Sequence, residues 1–364
     1  MLFFLLVSFA ISFVSMAWLI WYGRTHAQRY GEDMPQRFHI GYTPRLGGLG
    51  MLLSYWLGGL LALWFGGRWG VEASYQQVIL PLYLLTPAVL CGIAEDWCQC
   101  IPVRWRLLAT LLSAIGLCLV MGLHIPRLDI ALLDSLWLSA PWLGWMLAIL
   151  AIGGLPHAFN IIDGYNGLAG MVALLVGMAL IYVSLLVGDR VLAAQLVVFL
   201  GATAGFLTWN YPHGKIFAGD GGAYLWGLVL AYGSVTLVYR HPQVSPWFPM
   251  LLLCYPVFET LFSVYRKKIR GQSPGQADAL HLHQLIFRRM VRAVLDSDDE
   301  AEEMLKRNNR ISPYLWGMTL LTVIPAALFW DTSWLLILCC VLFITLYIWA
   351  YLSIVRFKLP IKRW

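Results

Sequence analysis

Eleven apolar stretches of this chain are each about long enough to cross a lipid bilayer. A bilayer core of roughly 30 Å takes about 20 helical residues, and lipid offers the backbone no hydrogen-bond partners, so these stretches must be helical. Only 12% of the 364 residues are charged, against about 25% in soluble domains. We therefore expect an all-α polytopic membrane protein that forms a single domain over residues 1–364. The predicted spans are 2–21, 46–66, 78–94, 106–123, 138–156, 167–187, 191–208, 217–238, 246–265, 313–330 and 334–354.

The 25 Lys and Arg residues are distributed unequally between the two sides of the predicted bundle. If the linker after the first span lies inside, 21 of them fall in inside segments and four fall outside. Because positive residues favour the cytoplasmic side, we expect a periplasmic N-terminus, a cytoplasmic C-terminus and a long cytoplasmic loop at 266–312. The expected location is the inner (plasma) membrane. The first span lacks a basic leader and a small-residue cleavage site, so we expect it to be retained.

The seven Cys residues are odd in number and lie mostly within the predicted spans. The stretch Cys98-Gln99-Cys100 has the spacing of a metal or redox pair, but no second pair and no nearby His accompanies it. We therefore expect plain thiols.

Polar residues with distinctive patterns concentrate in the five inside segments that connect the spans. The outside loops hold acidic residues without a comparable pattern. A reaction carried out by this chain would therefore take place at the cytoplasmic face. The five segments are 33–48, 94–97, 159–170, 211–222 and 281–283.

Four carboxylates at the predicted span ends suit magnesium and phosphate chemistry. Mg²⁺ prefers oxygen ligands and commonly takes one or two carboxylates together with substrate phosphates. Unpaired carboxylates beside a low-dielectric region would repel one another and resist ionising, and a bound cation removes that conflict. The glycines beside them let a bulky anion approach the backbone N–H groups. The four carboxylates are Glu95, Asp96, Asp163 and Asp220.

Each motif has an ordinary structural explanation when it is taken alone. Asp163 could cap a helix, and the pair Glu95-Asp96 could lie in interfacial water. The Gly-Asp-Gly-Gly of 219–222 is a turn signal. The basic and histidine residues of the first and fifth segments could be surface charges. The occurrence of all five motifs on one face favours a functional site.

Taken in order, the five segments resemble the polyprenyl-phosphate N-acetylhexosamine-1-phosphate transferases, the family that includes the phospho-MurNAc-pentapeptide translocase. The resemblance extends from about residue 33 to 290 and fits the family's eleven-helix branch. In this chain the five motifs read R-F-H-I-G-Y-T-P-R-L-G-G from Arg37, Glu95-Asp96, N-I-I-D-G-Y-N-G-L-A from Asn160, F-A-G-D-G-G from Phe217, and His281-Leu282-His283.

Two positions depart from the family pattern. Glu95 replaces the first residue of an Asp-Asp pair, which keeps the charge but moves the carboxylate by one methylene. Asn166 replaces the second Asp of the third motif, which in the translocase branch is implicated in nucleotide binding. Asn keeps a hydrogen-bonding side chain but loses the charge. A catalytically inactive relative therefore stays open as an alternative.

The resemblance implies phosphoryl transfer at the cytoplasmic face. A phosphate oxygen of polyprenyl (undecaprenyl) phosphate attacks the phosphorus that carries the sugar of a UDP-N-acetyl-sugar, and UMP leaves. The product starts a cell-surface glycan such as O-antigen. Such reactions rest mainly on positioning and charge neutralisation, and a covalent aspartyl route is the alternative to direct attack. The implied cofactor is Mg²⁺, with Mn²⁺ as the alternative. The expected partners include membrane lipids but no nucleic acid, and a homodimer stays open.

The resemblance also implies residue roles. Asp220 is the principal metal ligand, with Glu95 and Asp96 beside the metal. Asp96 is the base or the group that positions the lipid phosphate, and Glu95 and Asp163 complete the catalytic set. The implied substrate-binding residues are Asn160, Asn166, His281, His283, Arg37, His39, Arg45, Arg288 and Lys215.

Two further function classes remain open at this point. A transporter or flippase for a lipid-linked sugar would require charges within the spans or paired broken helices. A CDP-alcohol phosphotransferase would concentrate its Asp residues in one D-G-x-x-A-R motif, whereas these carboxylates are spread over three loops. The transferred sugar also stays open among N-acetylglucosamine, N-acetylgalactosamine and a 6-deoxy N-acetyl sugar.

Overall fold

The computed structural model describes residues 1–27, 43–271, 281–287 and 300–356, and every regular element in these ranges is a helix. This confirms the predicted all-α fold. A short 3₁₀ helix, Gly66–Trp69, follows the second α-helix. The α-helices are α1 (Leu2–Ala27), α2 (Gly47–Phe65), α3 (Tyr75–Cys98), α4 (Val103–Met121), α5 (Ala131–Ser139), α6 (Trp142–Ile162), α7 (Leu168–Leu186), α8 (Arg190–Asn210), α9 (Gly219–Arg240), α10 (Trp247–Leu252), α11 (Cys254–Ile269), α12 (Leu282–Ile286), α13 (Glu300–Leu328) and α14 (Ser333–Val355).

Within the described residues, ten segments of 19 to 26 residues are apolar and long enough to cross a membrane, and each overlaps one predicted span. Helix α13 begins at Glu300, well before the predicted span at 313. The residues from 300 to 310 are rich in strong helix formers such as Glu, Ala, Leu, Lys and Arg, which explains the earlier start. The last part of the loop predicted at 266–312, from Glu300 onward, is therefore helical.

The ninth predicted span, 246–265, is divided into two helices. Helix α10 ends at Leu252 and α11 begins at Cys254. Pro256 lies three residues after Leu253 and has no N–H to donate to the carbonyl of Leu252, so a continuous helix would lose a hydrogen bond there. The prediction of an uninterrupted span is wrong at this position, and ten rather than eleven uninterrupted spans lie in the described part of the chain.

Helix α9 is the buried centre of the bundle. Its 18-residue apolar window is fully buried, and α3 and α6 pack along it while α4 lies across these two helices. Small residues permit this close packing. A Cβ on Gly227 of α9 would lie 2.3 Å from the Pro156 backbone nitrogen, and one on Gly48 of α2 would lie 2.3 Å from the Gly222 nitrogen. The N-terminal end of α9 is thereby held between the ends of α2, α3 and α6.

Two Cys residues beside the predicted site are bonded to each other. Cys98 ends α3, and Gln99 adopts a left-handed conformation with φ +51°. This turn brings the Cα atoms of Cys98 and Cys100 to 5.3 Å, and their sulfur atoms form a disulfide. The expectation of plain thiols is wrong for this pair, whereas the other five Cys residues are free.

Candidate active site

Asp220 is the second residue of α9 and lies in the first turn of this helix. Its Oδ1 accepts a hydrogen bond of 2.7 Å from Asn160 Nδ2, and its Oδ2 pairs with the Arg106 guanidinium. Tyr224 Oη, one turn further along α9, lies 3.4 Å from Oδ2. The Asp220 side chain is 17% exposed. It is therefore a partly open carboxylate that already faces one positive charge.

Asp96 is buried and binds the N-terminus of α9. Its Oδ1 accepts the Asp220 N–H at 2.8 Å, and its Oδ2 accepts the Gly221 N–H at 2.9 Å. Acidic groups are favourable at this end of a helix, where backbone N–H groups lack intrahelical partners. Gly219 has φ +69°, and a Cβ there would lie 2.3 Å from Asp96 Oδ2. Asp96 therefore fixes where α9 begins and how Asp220 is presented.

Glu95 belongs to the same helix end but binds a different group. Its Oε2 accepts the Ile101 N–H at 2.7 Å, which closes the turn between α3 and α4. Within the described residues, no three His, Cys, Asp or Glu side chains are arranged so that they could hold a metal ion together. Asp220 binds the side chains of Asn160 and Arg106, whereas Asp96 and Glu95 each bind backbone N–H groups.

Asp163 follows the last residue of α6 and lies close to the charges of the site. Burial, with a smaller contribution from the Asp220 carboxylate, raises the pKa of Asp163 to about 7, while Arg45 opposes this shift. Arg45 also acts electrostatically on Asp96. Three carboxylates and one guanidinium thus form one interacting group: Asp96, Asp163, Asp220 and Arg45.

Asn166 connects the third motif to α13 and is only 2% exposed. Its backbone N–H donates to Asn308 Oδ1 at 2.8 Å, and its side-chain Nδ2 donates to Asn309 Oδ1 at 3.2 Å. Its carbonyl oxygen accepts from Ser312 Oγ at 2.6 Å. A carboxylate could not donate to Asn309, so these contacts suit the Asn that stands here in place of the family's Asp. The side chain is held by α13 and is not grouped with the carboxylates.

The two histidines of the fifth motif stack on each other beside the third motif. Their rings are 5.2 Å apart and nearly parallel. A Cβ on Gly164 would lie 3.0 Å from His283 Nε2, and the Tyr165 ring contacts the His283 ring edge-on at 5.5 Å. His283 therefore lies beside Gly164 and Tyr165, the two residues that follow Asp163 in the third motif.

A buried carboxylate of α11 fixes His281. Glu259 is fully buried, and its Oε1 lies 2.9 Å from His281 Nδ1. The same oxygen accepts the Leu282 N–H at 3.3 Å, and Oε2 accepts a hydrogen bond from Tyr347 of α14. Because Nδ1 is bound to Glu259, the other ring nitrogen of His281 is directed away from it.

Lys215 is not grouped with the carboxylates. Its side chain is exposed, and its Nζ lies 5.3 Å from the centre of the Trp209 ring. The predicted binding residues Arg37, His39 and Arg288 lie outside the described residues.

The family model for glycosyl transferase family 4 matches residues 78–238. This segment extends from α3 to α9 and contains the carboxylates and Asn160. Over this segment, which is less than half of the chain, the protein is similar to glycosyl transferase family 4. The match supports the predicted family.

Three relatives of this chain carry names from one group of enzymes. A probable undecaprenyl-phosphate N-acetylglucosaminyl 1-phosphate transferase of Bacillus subtilis is 27% identical over 70% of this chain and 69% of its own length. An undecaprenyl-phosphate alpha-N-acetylglucosaminyl 1-phosphate transferase of Thermotoga maritima is 31% identical over 38% of this chain and 41% of its own length. The enzyme of the same name from Escherichia coli K12 is 27% identical over 57% of this chain and 58% of its own length.

Sequence reasoning missed several polar residues that the fold brings to the site. Glu259 lies in the middle of a predicted span, where an acidic residue is costly and marks a functional or paired group. His157 and Arg106 lie at span ends and offered a similar signal. The missed residues are Arg106, Thr110, His157, Tyr224, Glu259 and Tyr347.

Proposed function

We propose that this protein transfers an N-acetylhexosamine 1-phosphate from a UDP-sugar to polyprenyl phosphate and releases UMP. The observation that carries the proposal is the placement of the partly exposed Asp220 in the first turn of α9, between Asn160 and the Arg106 guanidinium. Asp163 and Arg45 interact with the same group of charges. Phosphoryl transfer requires such a site, in which fixed charges neutralise and orient phosphates. The names of the relatives make UDP-N-acetylglucosamine the first donor to test.

Asp220 fits the role of a Mg²⁺ ligand, with Mn²⁺ as the alternative. Mg²⁺ usually takes one or two protein carboxylates and completes its shell with water and substrate phosphate. A preformed cage is therefore unnecessary, and the Arg106 contact indicates that Asp220 attracts positive charge. When bound, the ion would neutralise charge on the donor's diphosphate. We assign to Asp96 the different task of holding the Asp220 backbone in place.

The basic and histidine side chains would orient the two substrates. Arg45 and Arg106 can bind phosphate oxygens, and guanidinium groups match phosphates in geometry as well as charge. His281 and His283 lie beside Gly164 and suit contact with the diphosphate or the sugar. The attacking group in this proposal is an oxygen of the lipid phosphate. The Lys and Arg distribution supports a cytoplasmic position for the reaction.

The proposal is tested by UMP release from purified protein with undecaprenyl phosphate and a panel of UDP-N-acetyl-sugars. Asp220→Asn removes charge at nearly constant volume. Several kcal/mol of transition-state stabilisation depend on a metal-held phosphate, and each ~1.4 kcal/mol is tenfold in rate. We expect turnover to fall at least about a hundredfold. Raising the Mg²⁺ concentration should recover little of it.

The matched control is Asp331→Asn. Asp331 lies in the loop between α13 and α14, and within the described residues its side chain accepts a hydrogen bond only from the neighbouring Thr332 hydroxyl. The same charge change there should leave UMP release unaltered. An Asp220→Asn enzyme within a few-fold of wild type would show that Asp220 does not hold the metal. A wild-type protein that releases no UMP from any donor would overturn the proposed function.

A further inference from the structure

A second layer of polar side chains lies about one helical turn below the Asp220 layer. Three helices each contribute two polar residues spaced three or four apart, so that the members of a pair share one helix face. The upper members bind one another through Asp220, as described above. The lower members also touch one another, and they lie further inside the membrane-spanning helices. The pairs are Arg106 and Thr110 on α4, Asn160 and His157 on α6, and Asp220 and Tyr224 on α9.

The hydrogen bonds of Thr110 determine which nitrogen of His157 carries the hydrogen. Thr110 Oγ1 donates its one hydrogen to the carbonyl oxygen of Leu107 at 2.9 Å. Its contact of 3.0 Å with His157 Nε2 must therefore be one in which the hydroxyl oxygen accepts. A neutral imidazole that donates from Nε2 presents a lone pair at Nδ1. The fold thus prepares His157 Nδ1 as a hydrogen-bond and proton acceptor.

The surroundings of His157 favour a ligand that carries both negative charge and a proton. His157 is half-buried, its ring contacts the Tyr224 ring at 5.3 Å, and Arg106 and Asp220 act on it electrostatically. Cys91 of α3 is the next titratable group, and it interacts with Tyr224. Arg106 Nε is buried and has no hydrogen-bond partner in the described part of the chain. The Arg106 Nε–H group on α4, which donates to no other group there, and the acceptor nitrogen His157 Nδ1 on α6 therefore lie on neighbouring helices.

We propose that His157 is a catalytic residue that takes the proton from the phosphate of the lipid acceptor. The inference rests on the proposed function. A phosphate monoester has a second pKa of about 6, so part of it carries one proton near neutral pH. Its charged oxygens would bind Arg106, and its P–OH group would donate to His157 Nδ1. The depth of His157 within α6 suits a phosphate attached to a lipid rather than a group arriving from water.

The proton transfer leads directly into the phosphoryl transfer. The O–H bond of the lipid phosphate breaks and an N–H bond forms at His157 Nδ1. The electron pair left on that oxygen forms the new bond to the phosphorus that carries the sugar. The bond between this phosphorus and the bridging oxygen of UMP breaks, and UMP leaves with the electron pair. The imidazolium of His157 then releases its proton to water.

Two substitutions distinguish the roles of the two ring nitrogens of His157. His157→Asn keeps a hydrogen-bonding atom near the place of Nδ1 but cannot take a proton. His157→Gln keeps a group that faces Thr110 but has no acceptor near Nδ1. UMP release is measured with the purified full chain, undecaprenyl phosphate and UDP-N-acetylglucosamine between about pH 5.5 and 9. We expect kcat to fall about fourfold in both variants at pH 5.5, where roughly three quarters of a phosphate with a second pKa of about 6 still carries its proton. The KM for undecaprenyl phosphate should stay near the wild-type value in His157→Asn and rise in His157→Gln.

The pH dependence distinguishes a base from a structural residue. At high pH the lipid phosphate arrives already deprotonated, so the deficit of both variants should shrink as pH rises. A deficit that is the same at every pH, or a His157→Asn enzyme as active as wild type at pH 5.5, would overturn the inference. Thr110→Val is the second route if the His157 variants do not fold. It removes the acceptor for Nε2–H, and we expect a loss of about twofold at pH 5.5 that again disappears at high pH.

A measurement of lipid binding tests this inference independently of the proposed function. Binding of undecaprenyl phosphate to wild type and His157→Gln is measured near pH 6 through the change in Trp fluorescence, without any UDP-sugar. Weaker binding by His157→Gln supports a lipid-phosphate site at His157 even if no tested donor releases UMP. Equal binding, together with an unchanged rate, overturns the inference and leaves the proposed function standing.

Discussion

At the scale of single residues, the site holds carboxylates in unequal states. Asp220 and Asp163 are both partly exposed, and Asp220 is paired with Arg106, whereas Asp163 interacts with both Asp220 and Arg45. Burial raises the pKa of Asp163 to about 7. Near neutral pH this group is therefore divided between its neutral and charged forms, and a bound cation would shift it toward the charged form.

Asp163 should make the stability of the metal-free protein depend on pH. Its pKa in the folded protein lies above the ordinary Asp value, so the favourable contribution is complete below about pH 3.9. This contribution decreases as pH rises and is lost above a pKa of about 7. Asp163→Asn cannot ionise and should lack this dependence. We expect the thermal midpoint of wild type, relative to Asp163→Asn, to be lower at pH 8 than at pH 5, with EDTA present. A difference that is constant across this range would contradict the shifted pKa.

At the scale of helices, the N-terminus of α9 is built by a contact between two motifs far apart in sequence. Asp96 of α3 receives two N–H groups of α9, and Gly219 leaves room for its carboxylate. The contact explains why a left-handed glycine precedes Asp220. Only Gly adopts this conformation without a steric penalty, and only Gly lacks the Cβ that would displace Asp96.

Gly219→Ala should therefore destabilise the fold and lower UMP release. The left-handed conformation alone costs a non-Gly residue about 1–2 kcal/mol, and the Cβ at 2.3 Å from Asp96 Oδ2 adds a collision. Gly317→Ala in α13 is the matched control, because its Cβ would meet no atom within 4 Å. We expect the thermal midpoint of Gly219→Ala to be clearly lower than that of wild type. The midpoint of Gly317→Ala should not be lowered. Equal midpoints would mean that Asp96 does not constrain the start of α9.

The sequence predicts the spans and the gathering of motifs well, because long apolar runs and span ends are local features. The helix break at Leu253 could also have been predicted from the sequence, since Pro256 lies inside the ninth predicted span. The hydrogen-bond partners of individual side chains could not be predicted from the sequence. Asp96 binds α9 and Asn166 binds α13 because of how separate helices pack, and the motifs contain no information about that packing.

At the scale of the whole molecule, the C-terminal helices support a site whose carboxylates lie within the family match, although these helices lie outside that match. The match ends at residue 238, yet α13 holds the third motif through Asn308 and Ser312. Helix α14 reaches the fifth motif through Tyr347 and Glu259. Residues that follow the matched segment therefore fix the loops on two sides of Asp163.

Tyr347→Phe tests this long-range support without changing the carboxylates of the candidate site. It removes one hydrogen-bond donor from Glu259, which stays buried. A hydrogen bond to a charged group contributes about 1.5–3 kcal/mol, so we expect a lower thermal midpoint and a several-fold higher KM for the UDP-sugar. Tyr314→Phe, at an α13 residue that is 59% exposed, is the matched control and should change neither quantity.

The connection from Tyr347 to His281 is then measured with a double-mutant cycle. Tyr347 acts on the site through Glu259 and His281, so its effect should be smaller when His281 has already been replaced by Gln. Residues within one hydrogen-bond network couple by about 0.5–3 kcal/mol, whereas distant independent residues add. We expect coupling in this range for both stability and KM. Strict additivity of Tyr347→Phe and His281→Gln would show that α14 stabilises the bundle without positioning the fifth motif.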